Sequence, residues 1–519
     1  MGFALRFLVL WNKAINFFVN LYLSVSQRGE KRKCVPPPTD ELLMISATKL
    51  AELIRKKKVS CEDVVRAYIN RIKEVNPLIN AVVEDRFDEA LKEAKSVTDY
   101  LRTTSLTEDE LHKIKPLLGV PVTIKESCMV SGMSLAVGVV SRRDIKAESD
   151  GDAVARLKMT GAIPLLVSNT PELSMGFYCN NNITGTTCNP YDLSRNTGAS
   201  SGGEGALLGS GASLIGIGSD LAGSVRFPAF CCGIFGHKPS PRAVSIRGHF
   251  PLPNDKKAYD YTSIGPLTRY AEDLKLVMTV LCGKQSVDLR LHEKVDLKKL
   301  RVYYMKEAPR SINNPPVQNE IKEAIDGSVK FLETSSKAKI IHECCFEEDF
   351  RDLFEISSTL MTNLNLEGCP DLFKGQNHGY YLEFLRALFG MSEITSQYAI
   401  CKFQMGLSNI ISNKKHFAMN EEIKRKIALE LGDDGVLLYP TFHKVAPKHA
   451  AVMSEVVANV YMMPFNTLGL PATNIPCGLT PEGIPLGLQV IAGPNQDRLC
   501  LAVAEELEKC FGGWTPPRV

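Results

Sequence analysis

Glycine is concentrated in one stretch of this 519-residue chain, and that stretch restricts what the chain can fold into. Residues 195–236, RNTGASSGGEGALLGSGASLIGIGSDLAGSVRFPAFCCGIFG, hold eleven of the 38 glycines. Because glycine loses more conformational freedom on folding than any other residue, such a stretch forms poor helices and poor strands. It predicts turns that present backbone N–H groups to another group.

Serines occur at two places in this stretch, Ser200-Ser201 within GASSGGEG and Ser224 within DLAGSVRFP. The segment between them, SLIGIGSD (213–220), is predicted to be a short buried strand, which puts Ser224 in a tight turn just beyond a strand end. Consecutive N–H groups in that turn can converge on one point, as an oxyanion hole requires. The N–H groups concerned are those of Leu221, Ala222, Gly223 and Ser224. A glycine- and serine-rich loop without chemistry is the alternative.

A lysine stands at the end of an apolar run upstream of the glycine-rich stretch. GVPVTIKES (119–127) is predicted to be a strand that ends at Lys125. A lysine at a strand end is ordinarily a solvated charge. If Lys125 is instead buried among the glycine loops, its pKa is depressed and its neutral amine can accept a proton.

These three elements, taken together and in this order, resemble the amidase-signature family. They are Lys125, the motif GASSGGEG and the motif DLAGSVRFPAFCCGIFGHKPS (220–240). The resemblance continues through GPLTRYAEDL (265–274) to residues 466–493, and so covers nearly everything after residue 40. It implies an α/β fold with one large domain, in which α-helices flank a mixed, twisted β-sheet. Length alone allows two to four domains.

The resemblance implies a role for individual residues by their position in the motifs. Ser224 matches the family nucleophile, Ser200 the bridging serine that follows a cis peptide bond, and Lys125 the base. The supporting residues are expected to be Ser201, which is the rival of Ser200, together with Asp220 and Arg226. The residues expected near the substrate are Ser174, Met175 and Gly198. The family usually has glycine at the positions of Ala199 and Ala222, and a left-handed backbone at Ala222 would be strained.

Two segments outside the motifs give further structural expectations. DGDAVARLKMTGA (150–162) is predicted to be a helix between the strands at 119–127 and 161–169, and this order indicates parallel strand pairing. ELLMISATKLAELIRKKK (41–58) has the apolar spacing of a helix. Residues 350–417 have apolar helical spacing that fits ordinary core, or the wall of an acyl-chain channel.

The N-terminal residues 1–33 differ from the rest of the chain. Residues 3–25 are long enough to cross a bilayer, but a polar residue recurs every fourth position, as Asn12, Asn16, Asn20 and Ser24. They form either a weak membrane span or an amphipathic helix in the interface, and a cleaved signal peptide is the third alternative. A proline-rich linker, 34–40, leads to the expected catalytic domain, 41–519. The basic residues that follow the apolar run predict that this domain faces the cytosol.

Charge and metal-ligand spacing exclude several classes of function. The chain has 61 basic and 58 acidic residues, a net charge of +3, which argues against nucleic-acid binding. Fifteen cysteines without regular spacing are typical of reduced thiols in a cytosolic protein. Neither the cysteines nor the nine histidines have the spacing of a metal site, so we expect no metal and no cofactor.

The sequence therefore predicts a membrane-associated serine amidase that hydrolyses lipid amides, namely primary fatty-acid amides and N-acylethanolamines. The substrate class depends on the N-terminal segment and on the family resemblance, which also implies a homodimer. One alternative is the glutamine-hydrolysing component of a tRNA amidotransferase, which shares the triad but has no use for residues 3–25. The other alternative is a non-catalytic, lipid-binding homologue.

Overall fold

The structure is a computed structural model. It describes residues 32–253, 256–311, 313–342, 344–364, 366–367, 385–387, 389–402, 414–449, 451 and 458–518. The predicted N-terminal helix at residues 3–25 lies outside these ranges. Within them, no helix is both long enough and apolar enough to cross a bilayer. Every cysteine in the described ranges is a free thiol.

The core of the fold is a mixed sheet of 11 strands. Its strands, in chain order, are β1 (Val82–Asp85), β2 (Pro121–Lys125), β3 (Ile163–Ser168), β6 (Ile215–Asp220), β7 (Phe235–Lys238), β9 (Ser263–Thr268), β10 (Arg301–Tyr304), β11 (Lys339–Ile341), β13 (Gly435–Tyr439), β14 (Ala472–Leu479) and β15 (Pro485–Ala492). Two small two-stranded sheets lie outside it, formed by β4 (Asn180–Asn181) with β5 (Gly185–Thr186), and by β8 (Leu252–Pro253) with β12 (Leu366–Glu367).

The strands lie in the order β1-β3-β2-β6-β9-β7-β14-β15-β13-β10-β11. Pairing is parallel from β3 through β2 to β6, and again from β13 through β10 to β11. The other neighbours are antiparallel. The predicted mixed sheet is confirmed. The parallel pairing of β2 with β3 across an intervening helix is confirmed as well, because such a connection brings the two strands side by side in the same direction.

Helices pack against the sheet and against one another. They are α1 (Ala47–Arg55), α2 (Cys61–Ile79), α3 (Phe87–Thr103), α4 (Glu108–Ile114), α5 (Asp152–Met159), α6 (Gly202–Gly209), α7 (Arg226–Cys231), α8 (Lys256–Tyr261), α9 (Ala271–Cys282), α10 (Gln285–Asp288), α11 (Asn319–Thr334), α12 (Leu353–Thr362), α13 (Lys415–Leu431), α14 (Pro464–Thr467) and α15 (Asp497–Phe511). Of these, α7 and α15 contact the central strands β14 and β15, and α6 contacts β6.

The single helix predicted over 41–58 is wrong. A short 3-10 turn at Glu41–Met44 ends before α1 begins at Ala47. The side chain of Ser46, between them, accepts a hydrogen bond from the N–H of Lys49. This is the N-cap arrangement that serine favours, and it starts a new helix where the apolar spacing alone predicts continuation.

The segment with two interpretations, 350–417, is described only in part. Phe350, Leu353, Ile356 and Leu360 are buried in the main hydrophobic core, as the ordinary-core interpretation expects. Residues 368–384 and 403–413 lie outside the described ranges. The acyl-channel hypothesis therefore stays a prediction.

Candidate active site

Lys125 ends β2 in the middle of the parallel part of the sheet. Val122 and Ile124 are fully buried, and β2 has a parallel neighbour on each side, which holds the strand end inside the protein. Lys125 itself is 0% exposed. Burial lowers the pKa of Lys125 to about 8, because an ammonium group is poorly stabilised away from water. A substantial fraction of the amine is therefore neutral near physiological pH.

The Nζ atom of Lys125 lies 2.6 Å from the Oγ atom of Ser200. Ser200 is buried, and the peptide bond that joins it to Ala199 is cis, at the position that the family resemblance indicated. Ser201 does not take its place. The Ser201 N–H donates to the carbonyl of Ser224 at 3.2 Å, and the Ser201 hydroxyl donates to the carbonyl of Ser219 at 3.5 Å. The structure thus brings Lys125 to Ser200 and uses Ser201 to join the two serine loops.

Gly198 precedes this cis peptide at a point where the chain has no room for a side chain. Its φ is +77°, and a Cβ atom there would lie 2.6 Å from the Cα of Pro228. Only glycine accommodates both the left-handed backbone and the close approach. Gly198 therefore lets the loop before Ser200 lie directly against the helix that follows Ser224.

Ser224 lies in the turn between β6 and α7 and is partly exposed. The left-handed residue of this turn is Gly223, with φ of +114°, and Ala222 is outside the left-handed region. The strain anticipated at Ala222 is therefore absent. Within the described ranges, the Ser224 hydroxyl makes no hydrogen bond to Ser200. Hydrogen bonds of an active site are often incomplete before substrate binds, and the role of Ser224 stays a prediction.

The predicted oxyanion hole needs one correction. The N–H of Gly223 donates to the Oδ1 atom of Asp220 at 2.7 Å, so it points away from any substrate oxygen. A carboxylate is a stronger acceptor than a carbonyl, which explains why it captures this N–H. In the described part of the chain, no hydrogen bond uses the N–H groups of Leu221, Ala222 or Ser224. These three remain as candidate donors.

Asp220 and Arg226 form a buried ion pair below the Ser224 turn. Both side chains are 0% exposed and their charged atoms lie 3.1 Å apart. Arg226 also donates to Asn466 at 2.7 Å and to Gln489 at 3.1 Å. Burial raises the pKa of Asp220, but the charge and hydrogen bonds of Arg226 outweigh that effect and hold it below its usual range. Asp220 also accepts hydrogen bonds from the N–H groups of Gly223 and Val225 in the turn, and its supporting role with Arg226 stays a prediction.

Ser174, one of the residues predicted near the substrate, is connected to Ser200 through Thr170. The Thr170 hydroxyl donates to the carbonyl of Ser200 at 3.0 Å and lies 3.3 Å from the hydroxyl of Ser174. Ser174 has a left-handed backbone, with φ of +58°. Met175 packs against a small apolar cluster that includes Leu173. Contact of Ser174, Met175 or Gly198 with substrate stays a prediction.

Sequence reasoning missed two residues beside Lys125. Ser219 accepts a second hydrogen bond from Lys125 Nζ, at 2.9 Å, and lies 2.8 Å from the Nε2 atom of His249. Ser219 could have been found, because it is a polar residue at the carboxyl end of a strand parallel to β2. His249 lies in an irregular segment without a pattern that marks it.

The described residues contain no group of three histidine, cysteine, aspartate or glutamate side chains placed to hold a metal. A buried amine with a depressed pKa can take a proton from a serine, and a second serine stands in a turn with available N–H groups. Such an arrangement can activate a hydroxyl for attack on a carbonyl without histidine.

A family model described as Amidase matches residues 63–501. The chain therefore belongs to the amidase-signature family, and it is an amide hydrolase that acts on C–N bonds.

Individual proteins of this family differ in how similar they are to this chain. Fatty-acid amide hydrolase 2 of Homo sapiens is 40% identical over 99% of both chains. A glutamyl-tRNA(Gln) amidotransferase component of Caldanaerobacter subterraneus is 28% identical over 91% of this chain and 97% of its own length. The solved structure of a fatty acid amide hydrolase superposes with a TM-score of 0.71, covering 96% of this chain and 89% of that one. At 22% identity it shows the shared fold alone.

Proposed function

We propose that this protein hydrolyses lipid amides, both primary fatty-acid amides and N-acylethanolamines, to a free fatty acid and ammonia or an amine. Lys125, Ser200 and Ser224 carry the reaction. The observation that supports this triad most is the 2.6 Å hydrogen bond between Ser200 and a fully buried lysine. A lysine held in this way serves as a base only because burial has depressed its pKa.

The first half of the reaction forms a tetrahedral intermediate. Neutral Lys125 accepts a proton from Ser200 while Ser200 accepts the proton of Ser224, and the freed oxygen of Ser224 attacks the amide carbonyl. The N–H groups of Leu221, Ala222 and Ser224 stabilise the oxyanion, each by about 3 kcal/mol. Ser200 must come within hydrogen-bond distance of Ser224 when the amide binds, and we expect substrate to complete that contact.

The second half returns the proton and releases the acid. Ser200 donates a proton to the nitrogen of the departing amine and regains one from Lys125, so the C–N bond breaks and the acyl group remains on Ser224. Water then attacks the ester carbonyl. Ser200 and Lys125 take its proton and return it to the oxygen of Ser224 as the ester C–O bond breaks. The products are the fatty acid and free Ser224.

The substrate class is supported by similarity and by the N-terminal segment. Identity is 40% to the human fatty-acid amide hydrolase 2 and 28% to the amidotransferase component, over most of the chain in both cases. The apolar residues 3–25 fit an enzyme held at a membrane, where lipid amides are dissolved. An amidotransferase component has no need of such a segment.

A substrate panel with an inactive variant tests the proposal. The panel contains a long-chain primary amide, an N-acylethanolamine, acetamide and glutamine, each assayed with the full chain in detergent. We expect the two lipid amides to have the highest kcat/KM, and Ser224→Ala to abolish turnover without changing the thermal unfolding midpoint. Preference for glutamine or acetamide would contradict the substrate class. Normal turnover by Ser224→Ala would contradict the mechanism.

A further inference from the structure

Lys125 has a second hydroxyl partner that the proposed mechanism does not use. Its Nζ atom lies 2.6 Å from Ser200 Oγ and 2.9 Å from Ser219 Oγ. Ser219 Oγ lies in turn 2.8 Å from His249 Nε2. All four side chains are buried. The four side chains thus form a hydrogen-bonded line that runs from Ser200 through Lys125 and Ser219 to His249.

His249 is brought to this place by the segment that follows β7. The N–H of Phe250 donates to the carbonyl of Ser127 at 2.8 Å, and the N–H of Met129 donates to the carbonyl of Gly248 at 2.9 Å. These two bonds attach the segment to the turn that follows Lys125. The imidazole therefore has a fixed position relative to the base, although it is far from it in sequence.

The direction of each hydrogen bond in this line follows from the far side of the imidazole. His249 Nδ1 lies 3.0 Å from the carbonyl oxygen of Pro251. A carbonyl oxygen only accepts, so Nδ1 carries the hydrogen. A neutral imidazole has one N–H, which makes Nε2 an acceptor. The hydroxyl of Ser219 must therefore donate to His249, and its oxygen can offer only lone pairs to Lys125.

The neutral state of the imidazole is supported by its surroundings. Burial, followed by the charge of Lys125, lowers the pKa of His249 to about 3. Protonation would place a second hydrogen on Nε2 and reverse the bond to Ser219. At neutral or alkaline pH the direction of the line is therefore constant.

This direction controls which hydroxyl reaches the lone pair of the base. A neutral lysine amine has two N–H bonds and one lone pair. Because Ser219 can only accept, it holds one N–H of Lys125 and cannot donate to the lone pair. Ser200 is then the hydroxyl that can give up its proton to Lys125. If Ser219 lost its acceptor, its hydroxyl could turn and occupy the lone pair in place of Ser200.

We propose that His249 is a positioning residue which, acting through Ser219, reserves the lone pair of Lys125 for the proton of Ser200. The proposal rests on the proposed function, because it assumes that Lys125 is the base.

Other titratable groups face Lys125 from several elements. They are Cys128 after β2, Cys179 before β4, Glu204 on α6 and Asp220 at the end of β6. Burial raises the pKa of Cys128 to about 11 and of Cys179 to about 12, so both thiols stay neutral in the working range. Burial also raises the pKa of Glu204 to about 7. Glu204 accepts from Thr123, outside the His249 line, and its titration should be common to all variants compared below.

The test replaces the imidazole with an apolar group of similar size and follows activity against pH. In His249→Leu we expect kcat to fall about tenfold, the equivalent of one hydrogen bond, with little change in KM. We also expect the acid limb of kcat/KM to move to lower pH. Without its acceptor, the Ser219 hydroxyl donates to the neutral amine and stabilises it, which lowers the pKa of Lys125.

The direction of that movement separates positioning from simple damage. A loosened site that admits water would move the pKa of Lys125 back toward its usual value, and the acid limb toward higher pH. His249→Gln places an amide oxygen near the position of Nε2. We therefore expect this variant to have the wild-type kcat and the wild-type position of the acid limb of kcat/KM. His449→Leu removes an imidazole that lies 3.3 Å from the carbonyl of Leu193, away from this line, and serves as the matched control with an unmoved limb.

A double variant tests whether His249 acts through Ser219. Because His249 acts through Ser219, the double variant Ser219→Ala and His249→Leu should be no slower than Ser219→Ala alone. Three results would overturn the proposal. They are a double variant whose loss of rate is the product of the two single losses, an acid limb that moves to higher pH in His249→Leu, and a His249→Gln variant that stays as slow as His249→Leu. If the wild type lacks an acid limb near pH 8, the proposed base itself is wrong. If the wild type has the limb and His249→Leu leaves it in place, only the positioning role is wrong.

Discussion

Single residues determine the pH range in which this site can work. The proposed reaction requires Lys125 in its neutral form, and burial lowers its pKa to about 8. The neutral fraction increases as pH rises through that value, so kcat/KM should increase from pH 6 and level off above pH 9. A pH profile with a lipid amide checks this. A rate that is flat across that range would show that Lys125 is not the titrating base.

The two adjacent serines, Ser200 and Ser201, should respond differently to substitution by alanine. Ser200 contributes its hydroxyl to Lys125, whereas Ser201 contributes its backbone N–H to the carbonyl of Ser224. Ser200→Ala should therefore lower kcat by about 10² to 10⁴, the usual contribution of a group that transfers the proton. Ser201→Ala keeps the N–H and should retain most of the rate. Steady-state kinetics on both variants decides the matter, and equal losses would reject the assignment of Ser200.

At the scale of elements, the turn between β6 and α7 is held from below by a buried ion pair. Asp220→Asn keeps the shape of the side chain but leaves Arg226 without a countercharge, at 0% exposure. We expect this change to lower the free energy of unfolding by about 3 to 5 kcal/mol. Chemical denaturation measures it. The control is Arg102→Met, which breaks the exposed pair with Asp99 and should leave stability unchanged, because water screens such pairs. Equal effects would show that the buried pair is not what holds the turn.

Elements also show which features can be predicted from sequence. Lys125, Ser200 and Ser224 could be proposed because each stands in a short motif that resembles the amidase-signature family, and that resemblance alone ranks Ser200 above Ser201. The contact of Ser219 with His249 could not, since it depends on two segments that meet only in the folded sheet. The same is true of the Gly223 N–H, which glycine spacing makes available and the Asp220 carboxylate takes. Local pattern predicts where a group lies in the chain, and tertiary contacts decide which partner it has.

For the whole molecule, we predict that residues 3–25 hold the enzyme at a membrane. Replacing Phe18 and Tyr22 with glutamate puts two charges on the apolar side of the expected helix, and this should release the full-length protein from sedimented lipid vesicles. The matched control replaces Asn16 and Asn20, on the polar side of the helix, with glutamate and should leave binding to the vesicles intact. Equal release by both pairs, or by neither, would contradict an amphipathic arrangement. The family resemblance also implies a homodimer. Sedimentation velocity of the detergent-solubilised protein, without vesicles, checks this oligomeric state.

If Ser224 is the residue that attacks the carbonyl, a fluorophosphonate should label it. Such a probe bonds to an activated serine oxygen, and peptide mass spectrometry locates the modified residue. We expect one adduct, on Ser224, that appears at the rate at which lipid-amide hydrolysis is lost and is missing in Ser224→Ala. An adduct on Ser200, Ser201 or a serine outside the site, or inhibition without any serine adduct, would contradict it.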